Sequence, residues 1–338
     1  MSVEWERARC IKYKDSGGAW IRIKAPWHKT ASGFARAMAV YYAVEAAISG
    51  VILLYALGGQ QSGLSGDCTQ DNDEYNSGTN SWISRTDFPI PKREQFWGST
   101  ILGKGYIYCG YNGDGVGYSA DCDEYTPGSD SWANKTDANP ARYLYASAST
   151  ILGKGYIYCG FNRNNLADCD EYTPGSDSWD IRTDVPLARR DDSAVTISDK
   201  GYVWGGWITT VRSENHEYTP GSDSWASKTG LSPARYRMGT CEISGLGYLF
   251  GGNTSAGATG DCKEYSPIAN SWTSKTGMTF TRSQAGSGTS EDKGYVYYGV
   301  DDAVRAKTCD EYDPLSNSWT DKADGIDPTR YQLASFGI

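Results

Sequence analysis

Histidine and cysteine are the residue types best suited to bind metals or to act as bases and nucleophiles. The chain has 338 residues but only two histidines, His28 and His216, and neither belongs to a cysteine–histidine group with zinc spacing. No phosphate-binding loop is present. The acidic runs 71–74 and 301–302 lack the ligand spacing of a calcium loop. The sequence therefore indicates no catalytic residue, no metal site and no cofactor.

The cysteines suggest two cross-links. There are nine, an odd number, so at least one thiol has no partner within the chain. Cys109 ends one strand-like run and Cys122 begins the next, and Cys159 and Cys169 repeat this arrangement. Neighbouring antiparallel strands can bring such positions to bridging distance. We hypothesise disulfides between Cys109 and Cys122 and between Cys159 and Cys169; the alternative is buried thiols, which are common in protein interiors.

The composition indicates a folded protein made of many short strands. Aromatic residues make up 13% of the chain, and 40 glycines are present, which is typical of short strands joined by tight turns. The net charge of −9 argues against nucleic acid as a partner, because phosphate binding needs a basic surface. Residues 1–9 lack the apolar core of a secretory signal. Residues 37–57 are apolar enough to suggest a membrane span.

A tyrosine followed seven positions later by a tryptophan marks an internal repeat. The well-defined pairs are Tyr75/Trp82, Tyr125/Trp132, Tyr172/Trp179, Tyr218/Trp225, Tyr265/Trp272 and Tyr312/Trp319. A degenerate seventh pair is Tyr13/Trp20. Successive tryptophans are 62, 50, 47, 46, 47 and 47 residues apart, so the copies are in phase. The run Ser99–Gly110 recurs unchanged at Ser149–Gly160, which suggests recent duplication.

Each repeat contains four strand-like runs, which we label a to d. In the copy that contains Trp225 the runs are 191–197, 202–206, 215–218 and 225–228. Pro220 and Gly221 form the c–d turn, since proline presets φ and glycine tolerates positive φ. The first repeat is longer, and we assign 21–35 to an extended d–a connection and 37–59 to a long a–b hairpin. That hairpin would explain the apolar stretch without a membrane span.

The repeat resembles the kelch repeat in its period and in a strand b that ends in two glycines. The glycine pairs are Gly58-Gly59, Gly205-Gly206 and Gly251-Gly252. An arginine after run d, often preceded by proline, also fits; the series is Arg93, Arg142, Arg189, Arg235, Arg282 and Arg330. Cys109, Cys159 and Tyr298 depart from the pattern, because each replaces the first glycine of the pair.

Kelch repeats form the four-stranded blades of a β-propeller, so the resemblance implies an all-β propeller that spans residues 1–338 as a single domain. We predict seven blades in a ring closed by N- and C-terminal strands. In this scheme residues 1–35 complete the last blade, 36–329 form six full repeats, and 330–338 form a closing strand. Strand b of the closing blade is unaccounted for unless residues 1–6 provide it. Six blades plus an N-terminal hairpin is the alternative.

Residues present in every copy are expected to hold the fold together. We assign the six well-defined Tyr/Trp pairs to packing between blades. The arginine series and a glutamate series are expected to form repeated ion pairs, because buried charges need partners. The glutamates are Glu74, Glu124, Glu171, Glu217, Glu264 and Glu311. His216 occupies a strand position held by Asp or Lys in other copies, which predicts a surface residue.

The loops that vary between copies predict a binding surface. In an antiparallel blade the b–c and d–a loops emerge on one face, and the a–b and c–d turns on the other. The turns are monotonous, whereas the b–c loops differ, as in a rigid scaffold that carries binding loops. Aromatic and arginine residues are the expected anchors. Those in the b–c loops are Tyr111, Tyr118, Phe161, Arg163, Trp207, Arg212 and Arg305.

We therefore expect a non-enzymatic binding or assembly module that contacts protein or glycan, with a larger assembly possible. The resemblance is to stand-alone microbial or viral kelch chains, which favours an extracellular surface, a fibre or a virion over the cytoplasm. Some kelch-like proteins are enzymes. Copper oxidases use two histidines and tyrosines that this sequence does not group, whereas sugar epimerases use a polar pocket on the axis. A carbohydrate-active enzyme with an axial pocket is thus one alternative, and an intracellular scaffold is another.

Overall fold

The computed structural model describes strands 3–5, 10–14 and 20–24 and residues 52–61, 67–89, 93–112, 117–138, 146–301 and 304–338. The chain divides into two compact units, Met1–Gly50 and Val51–Ile338. The first unit contains β1 (Val3–Trp5), β2 (Cys10–Lys14) and β3 (Trp20–Lys24), which form an antiparallel sheet in that order. Within the described ranges, no helix has the length and apolar character needed to span a bilayer.

The second unit contains six four-stranded antiparallel sheets, the blades of a β-propeller. Blade 1 consists of β36 (Ala334–Gly337), β4 (Leu53–Leu57), β5 (Asn72–Asn76) and β6 (Ser81–Arg85). Blade 2 consists of β8 (Trp97–Ile101), β9 (Lys104–Tyr108), β12 (Cys122–Thr126) and β13 (Ser131–Lys135). Blade 3 consists of β14 (Ser147–Ile151), β15 (Lys154–Tyr158), β18 (Cys169–Thr173) and β19 (Ser178–Arg182).

Blades 4 to 6 repeat this order. Blade 4 consists of β20 (Ser193–Ile197), β21 (Lys200–Trp204), β22 (Asn215–Thr219) and β23 (Ser224–Lys228). Blade 5 consists of β24 (Gly239–Ile243), β25 (Leu246–Phe250), β28 (Cys262–Ser266) and β29 (Ser271–Lys275). Blade 6 consists of β30 (Gly286–Ser290), β31 (Lys293–Tyr297), β34 (Cys309–Asp313) and β35 (Ser318–Lys322). In each blade these strands are a, b, c and d, and the a strands of adjacent blades pack together around the axis.

Shorter strands and 3-10 helices lie in the loops and turns between the main strands of the blades. In blade 2, β10 (Tyr111–Asn112) pairs with both β11 (Gly117–Tyr118) and β7 (Arg93–Glu94). Other b–c ribbons pair β16 (Phe161–Asn162) with β17 (Asn164–Asn165), β26 (Asn253–Thr254) with β27 (Gly257–Ala258), and β32 (Val300–Asp301) with β33 (Val304–Arg305). Two 3-10 helices, Pro127–Ser129 and Pro220–Ser222, form c–d turns.

Burial follows the place of each strand within its blade. In strand b of blade 4, the four residues after Lys200 are buried, because neighbouring blades cover both faces of the sheet. Strand d lies at the outer edge, and in Ser224–Lys228 only Trp225 and Lys228 are partly buried. A Cβ added to Gly247 would lie 2.5 Å from the Trp204 ring, so the blades approach this closely only because strand b carries a glycine there.

The ring has six blades, so the prediction of seven was wrong and the count matches the six-blade alternative. The C-terminal strand β36 pairs with β4, with Ala334 opposite Leu57 and Gly337 opposite Leu54. It supplies strand a of blade 1, which the predicted a–b hairpin of residues 37–59 was expected to supply. Residues 37–51 of that hairpin lie outside the described ranges. Among the described strands, β1 to β3 form a sheet of their own and β36 pairs with β4, so the expected blade of N- and C-terminal strands is not seen in that part of the chain.

Candidate functional site

The Tyr/Trp pairs lie at the interfaces between blades. In blade 2 the rings of Tyr125 and Trp132 are 5.0 Å apart. The Trp132 indole donates a hydrogen bond of 2.9 Å to the carbonyl of Thr86, and Asp130 accepts hydrogen bonds from the Tyr125 hydroxyl and the Thr86 N–H. The tryptophan bond recurs from Trp82 to Ala323, Trp179 to Thr136, Trp225 to Thr183, Trp272 to Thr229 and Trp319 to Thr276. These residues therefore connect neighbouring blades.

The glutamate series ties strands b, c and d together within each blade. Glu217 accepts hydrogen bonds from Lys200 at 2.6 Å and Tyr202 at 2.5 Å, and it lies 3.1 Å from Lys228. Equivalent contacts are made by Glu74, Glu124, Glu171, Glu264 and Glu311. Burial raises the pKa of Glu217, but the hydrogen bonds from its three partners outweigh burial and lower the pKa. A carboxylate held in this way stays charged and serves the fold.

The five arginines of the series that the structure describes are buried, and four of them pair with acidic residues of the same blade. The pairs are Arg93 with Asp123, Arg235 with Asp261, Arg282 with Asp310 and Arg330 with Asp73. Arg142 lies outside the described residues. Because Lys263 replaces the strand-c aspartate in blade 5, Arg235 reaches instead to Asp261, whose side chain is 52% exposed.

Blade 4 breaks this pattern at His216. The Nδ1 atom of His216 lies 3.2 Å from a guanidinium nitrogen of Arg189, and the same nitrogen donates to the Val203 carbonyl. His216 is buried, so the surface position expected from the sequence was wrong. Burial, and then the charge of Arg189, lowers the pKa of His216 to about 4. The neutral ring accepts a hydrogen bond from Arg189 and serves as its structural partner.

The eight cysteines from Cys68 to Cys309 are buried, including the four in the hypothesised disulfides. Tyr108, rather than Cys109, lies opposite Cys122 in strand register, and blade 3 repeats this arrangement. The two disulfides stay a prediction.

Aromatic and arginine side chains from blades 3, 4 and 5 form an aromatic–arginine strip on the face of the b–c and d–a loops. The Arg190 guanidinium lies 4.6 Å from the Phe161 ring centre. Backbone hydrogen bonds of 3.1 and 2.7 Å join Arg190 to Trp207. The rings of Trp207 and Tyr236 are 5.2 Å apart, and the Arg237 guanidinium lies 5.4 Å from the Tyr236 ring. All five side chains are partly exposed.

The strip unites two of the seven loop residues singled out from the sequence, Phe161 and Trp207. The others lie apart: Tyr111 faces Tyr118 in blade 2, Arg163 is exposed in blade 3, Arg212 pairs with Glu214 in blade 4, and Arg305 lies over the Tyr331 ring. Sequence reasoning missed Arg190, Tyr236 and Arg237, because it considered only b–c loops. These residues directly follow the buried arginine of each repeat, and their variation from copy to copy was the available signal.

A cavity of about 210 Å³ lies on the axis, where the inner strands of all six blades begin. Backbone N–H groups link its wall around the axis, from Gln95 to Gln332, Gln332 to Gln284, Gln284 to Arg237 and Arg237 to Asp191, at 2.9 to 3.1 Å. Each of these residues has a positive φ of 57 to 60°. Among the described residues that line the wall, the charged ones are Asp191, Asp192 and Arg237, and the Arg237 Nε donates to Asp191 at 2.7 Å.

Asp192 is the unusual residue of this wall. Equivalent positions in the other blades are apolar: Phe96, Ala146, Met238, Ala285 and Leu333. The Asp192 side chain is buried; its Oδ2 accepts a hydrogen bond of 2.5 Å from Ser147, and within the described residues its Oδ1 has no partner. Burial raises the pKa of Asp192 to about 7, although Arg189 opposes the rise. In the described part of the chain, no cluster of three His, Cys, Asp or Glu residues could hold a metal.

Comparison with known proteins bears on the fold alone. No family model and no curated protein matches the sequence. Solved structures do match, and one described as "Structure of YjhT" aligns with a TM-score of 0.66 over 75% of this chain and 91% of that chain. The two sequences are 13% identical over the alignment, so the likeness shows the fold alone. The chain is thus similar to a β-propeller of known structure and is itself a six-bladed β-propeller.

Proposed function

We propose that this protein is a non-enzymatic binding or assembly module that contacts a protein or glycan through the face of its b–c and d–a loops. The aromatic–arginine strip is the observation that carries the proposal. Tryptophan, tyrosine and arginine are the residue types enriched at the centres of binding interfaces. In this chain they lie side by side across three blades, whereas the opposite face presents the repetitive a–b and c–d turns.

The contacts within the strip support a role as a preformed anchor. Backbone hydrogen bonds hold Trp207 beside Arg190. Asp191 lies between the two arginines, 3.6 Å from Arg190 and 2.7 Å from Arg237. Side chains ordered before association lose less conformational entropy when a partner binds, so more of the contact energy contributes to affinity.

The resemblance to stand-alone kelch chains supports an extracellular surface, a fibre or a virion as the place of action. The net charge of −9 favours partners other than nucleic acid. Protein and glycan both remain within this proposal, because aromatic and arginine groups suit either class of partner.

The test measures binding by variants of the strip. The purified chain is screened on a glycan array and used to capture partners from its native source. We expect the double variant Phe161→Ala/Trp207→Ala to bind the captured partner at least tenfold more weakly. Leu315→Ala is the control, since Leu315 is an exposed apolar residue of a c–d turn on the opposite face. Undiminished binding by the double variant would disprove the proposal.

Two alternatives give different outcomes in the same comparison. A carbohydrate-active enzyme would use the axial cavity, so Asp192→Asn would abolish turnover of a sugar while the strip variants kept it. An intracellular scaffold would use the same loop face, so locating the chain in its native source separates it from a surface or virion component.

A further inference from the structure

The fold itself does not explain the carboxyl group of Asp192 in the cavity wall. Five other blades place apolar residues, among them Ala146 and Leu333, at the equivalent position. The charge of Arg189 acts on Asp192, but in the described residues the two form no ion pair, and Arg189 bonds instead to His216. A buried carboxyl oxygen without a direct partner is unfavourable. Its presence at one position of six points to a ligand that supplies the missing partner.

Three acceptor atoms on residues of the cavity wall are left without a donor in the described part of the chain. The Oδ1 of Asp192 and the Oε1 atoms of Gln95 and Gln284 are buried and have no partner among the described residues. All three residues line the cavity. Because an unpaired buried acceptor loses its bond to water without replacement, a ligand with N–H donors would recover that loss.

The charges of the wall indicate the sign of the ligand. Asp191 contacts both Arg237, at 2.7 Å, and Arg190, at 3.6 Å, so Asp192 is the acid of the lining that makes no ion pair in the described residues. A cation would form that ion pair, whereas an anion would be repelled by the carboxylate. An ammonium group combines a positive charge with three donors, and the three orphaned acceptors match it in number.

The size of the cavity limits the ligand. Its volume of about 210 Å³ is smaller than the roughly 300–1,000 Å³ of pockets that take drug-sized molecules. We propose that the axial cavity binds a small molecule with a primary ammonium group, for which Asp192 is the counter-ion. This site lies on the axis and shares Arg237 with the aromatic–arginine strip, but neither proposal depends on the other.

The experiment compares three four-carbon probes by titration calorimetry at physiological salt. They are 1,4-diaminobutane, butane-1,4-diol and succinate, which carry positive, neutral and negative ends. We expect 1,4-diaminobutane to bind at least tenfold more tightly than the diol, and succinate to show no binding. Absence of binding by the diamine, or equal binding by the diol, would overturn the proposal.

Variants assign the binding to Asp192. Asp192→Asn keeps the shape and removes the charge, and Asp192→Ala introduces the residue that blades 3 and 6 already carry at this position. Both are expected to bind the diamine at least tenfold more weakly and to retain a cooperative thermal transition. Asp301→Asn, at an exposed loop position, is the matched control and should bind like the unaltered protein. Retention of diamine binding by folded Asp192→Asn would show that the diamine associates elsewhere.

Discussion

The indole nitrogen of Trp82 donates a hydrogen bond of 2.8 Å to the carbonyl oxygen of Ala323, 241 residues further along the chain. The Ala323 N–H returns a hydrogen bond to Asn80, which also accepts one from the Tyr75 hydroxyl. These contacts join blade 1 to blade 6 and reproduce the bonds found at the other interfaces. The closure of the ring is therefore chemically the same as the joint between any two consecutive blades.

Because the interfaces make the same hydrogen bonds, we predict that the same substitution lowers the free energy of unfolding equally at each interface. Trp82→Phe removes the bond at the closing interface, and Trp225→Phe removes its counterpart to Thr183 at an ordinary interface. Each variant should lose about 1 kcal/mol of unfolding free energy, the usual net value of one hydrogen bond. Urea denaturation measures both. A cost confined to Trp225→Phe would show that the closing interface contributes little to stability.

The pairing of β36 with β4 predicts that the propeller needs its C-terminal strand, and not the first 50 residues, in order to fold. A fragment of residues 51–338 contains all six blades, so we expect it to unfold in one cooperative thermal transition. A fragment of residues 51–329 lacks β36, which exposes the inner edge of β4 and removes the buried pair of Arg330 with Asp73. We expect that fragment to aggregate or to lose cooperativity. Failure of the longer fragment to fold would mean that the first 50 residues are required.

The buried arginines should differ in importance according to their partners. Arg282→Met leaves the buried Asp310 without a counter-charge, which should cost about 3–5 kcal/mol. Arg235→Met should cost at least about 1 kcal/mol less, because the partner Asp261 is 52% exposed and water can solvate it. Chemical denaturation of both variants checks the order. Equal losses would indicate that the guanidinium itself, through its backbone contacts, is the more important group.

Asp192 should make stability depend on pH. Its pKa is raised to about 7 in the folded state, chiefly by burial, while an unfolded aspartate titrates near 3.8. The folded state therefore holds the extra proton between these values, and the unfolding free energy falls as pH rises through that window. Asp192→Asn has no such titration, so its stability relative to the unaltered protein should rise by up to about 4 kcal/mol between pH 4 and pH 8.

Urea titrations of the unaltered protein and of Asp192→Asn between pH 4 and pH 8 measure this difference in unfolding free energy. The charged groups around Asp192 are Asp191 and Arg189 on its own segment and Arg237 on the next blade. Arg237 pairs with Asp191, and Ser147 donates a hydrogen bond to Asp192. The pKa of Glu94 is also raised to about 7 by burial, but Glu94 is present in both proteins and cancels. A difference independent of pH would show that Asp192 keeps an ordinary pKa.

The thiols should be unreactive in the folded protein. Burial raises the pKa of Cys241 to about 12 and that of Cys122 well above its ordinary value, so almost no thiolate exists at pH 8. We expect a disulfide reagent to modify the buried cysteines only after unfolding. The unfolded chain without reductant should then show all nine thiols. A count of five, nine less the four in two bridges, would instead establish the disulfides Cys109–Cys122 and Cys159–Cys169.

The sequence by itself determined the four-stranded structure of each blade. Tyr and Trp seven residues apart, the Pro-Gly turns and the runs a to d are local features, and local spacing specifies neighbouring antiparallel strands and the turns between them. The face that carries the variable loops follows from the same alternation of strands, and this alternation made Phe161 and Trp207 candidates for binding.

Only the tertiary structure decided the number of blades and the place of the candidate sites. The partner of β36 depends on which strand edge is left open after the chain has gone round the ring, and β4 offers that edge 277 residues before Ala334. The strip and the cavity likewise combine residues of different blades, such as Ser147 with Asp192, which meet because six blades converge on one axis. The spacing of residues along the chain does not specify which residues meet at the axis. The buried position of Asp192 in the cavity wall could therefore be identified only from the folded ring.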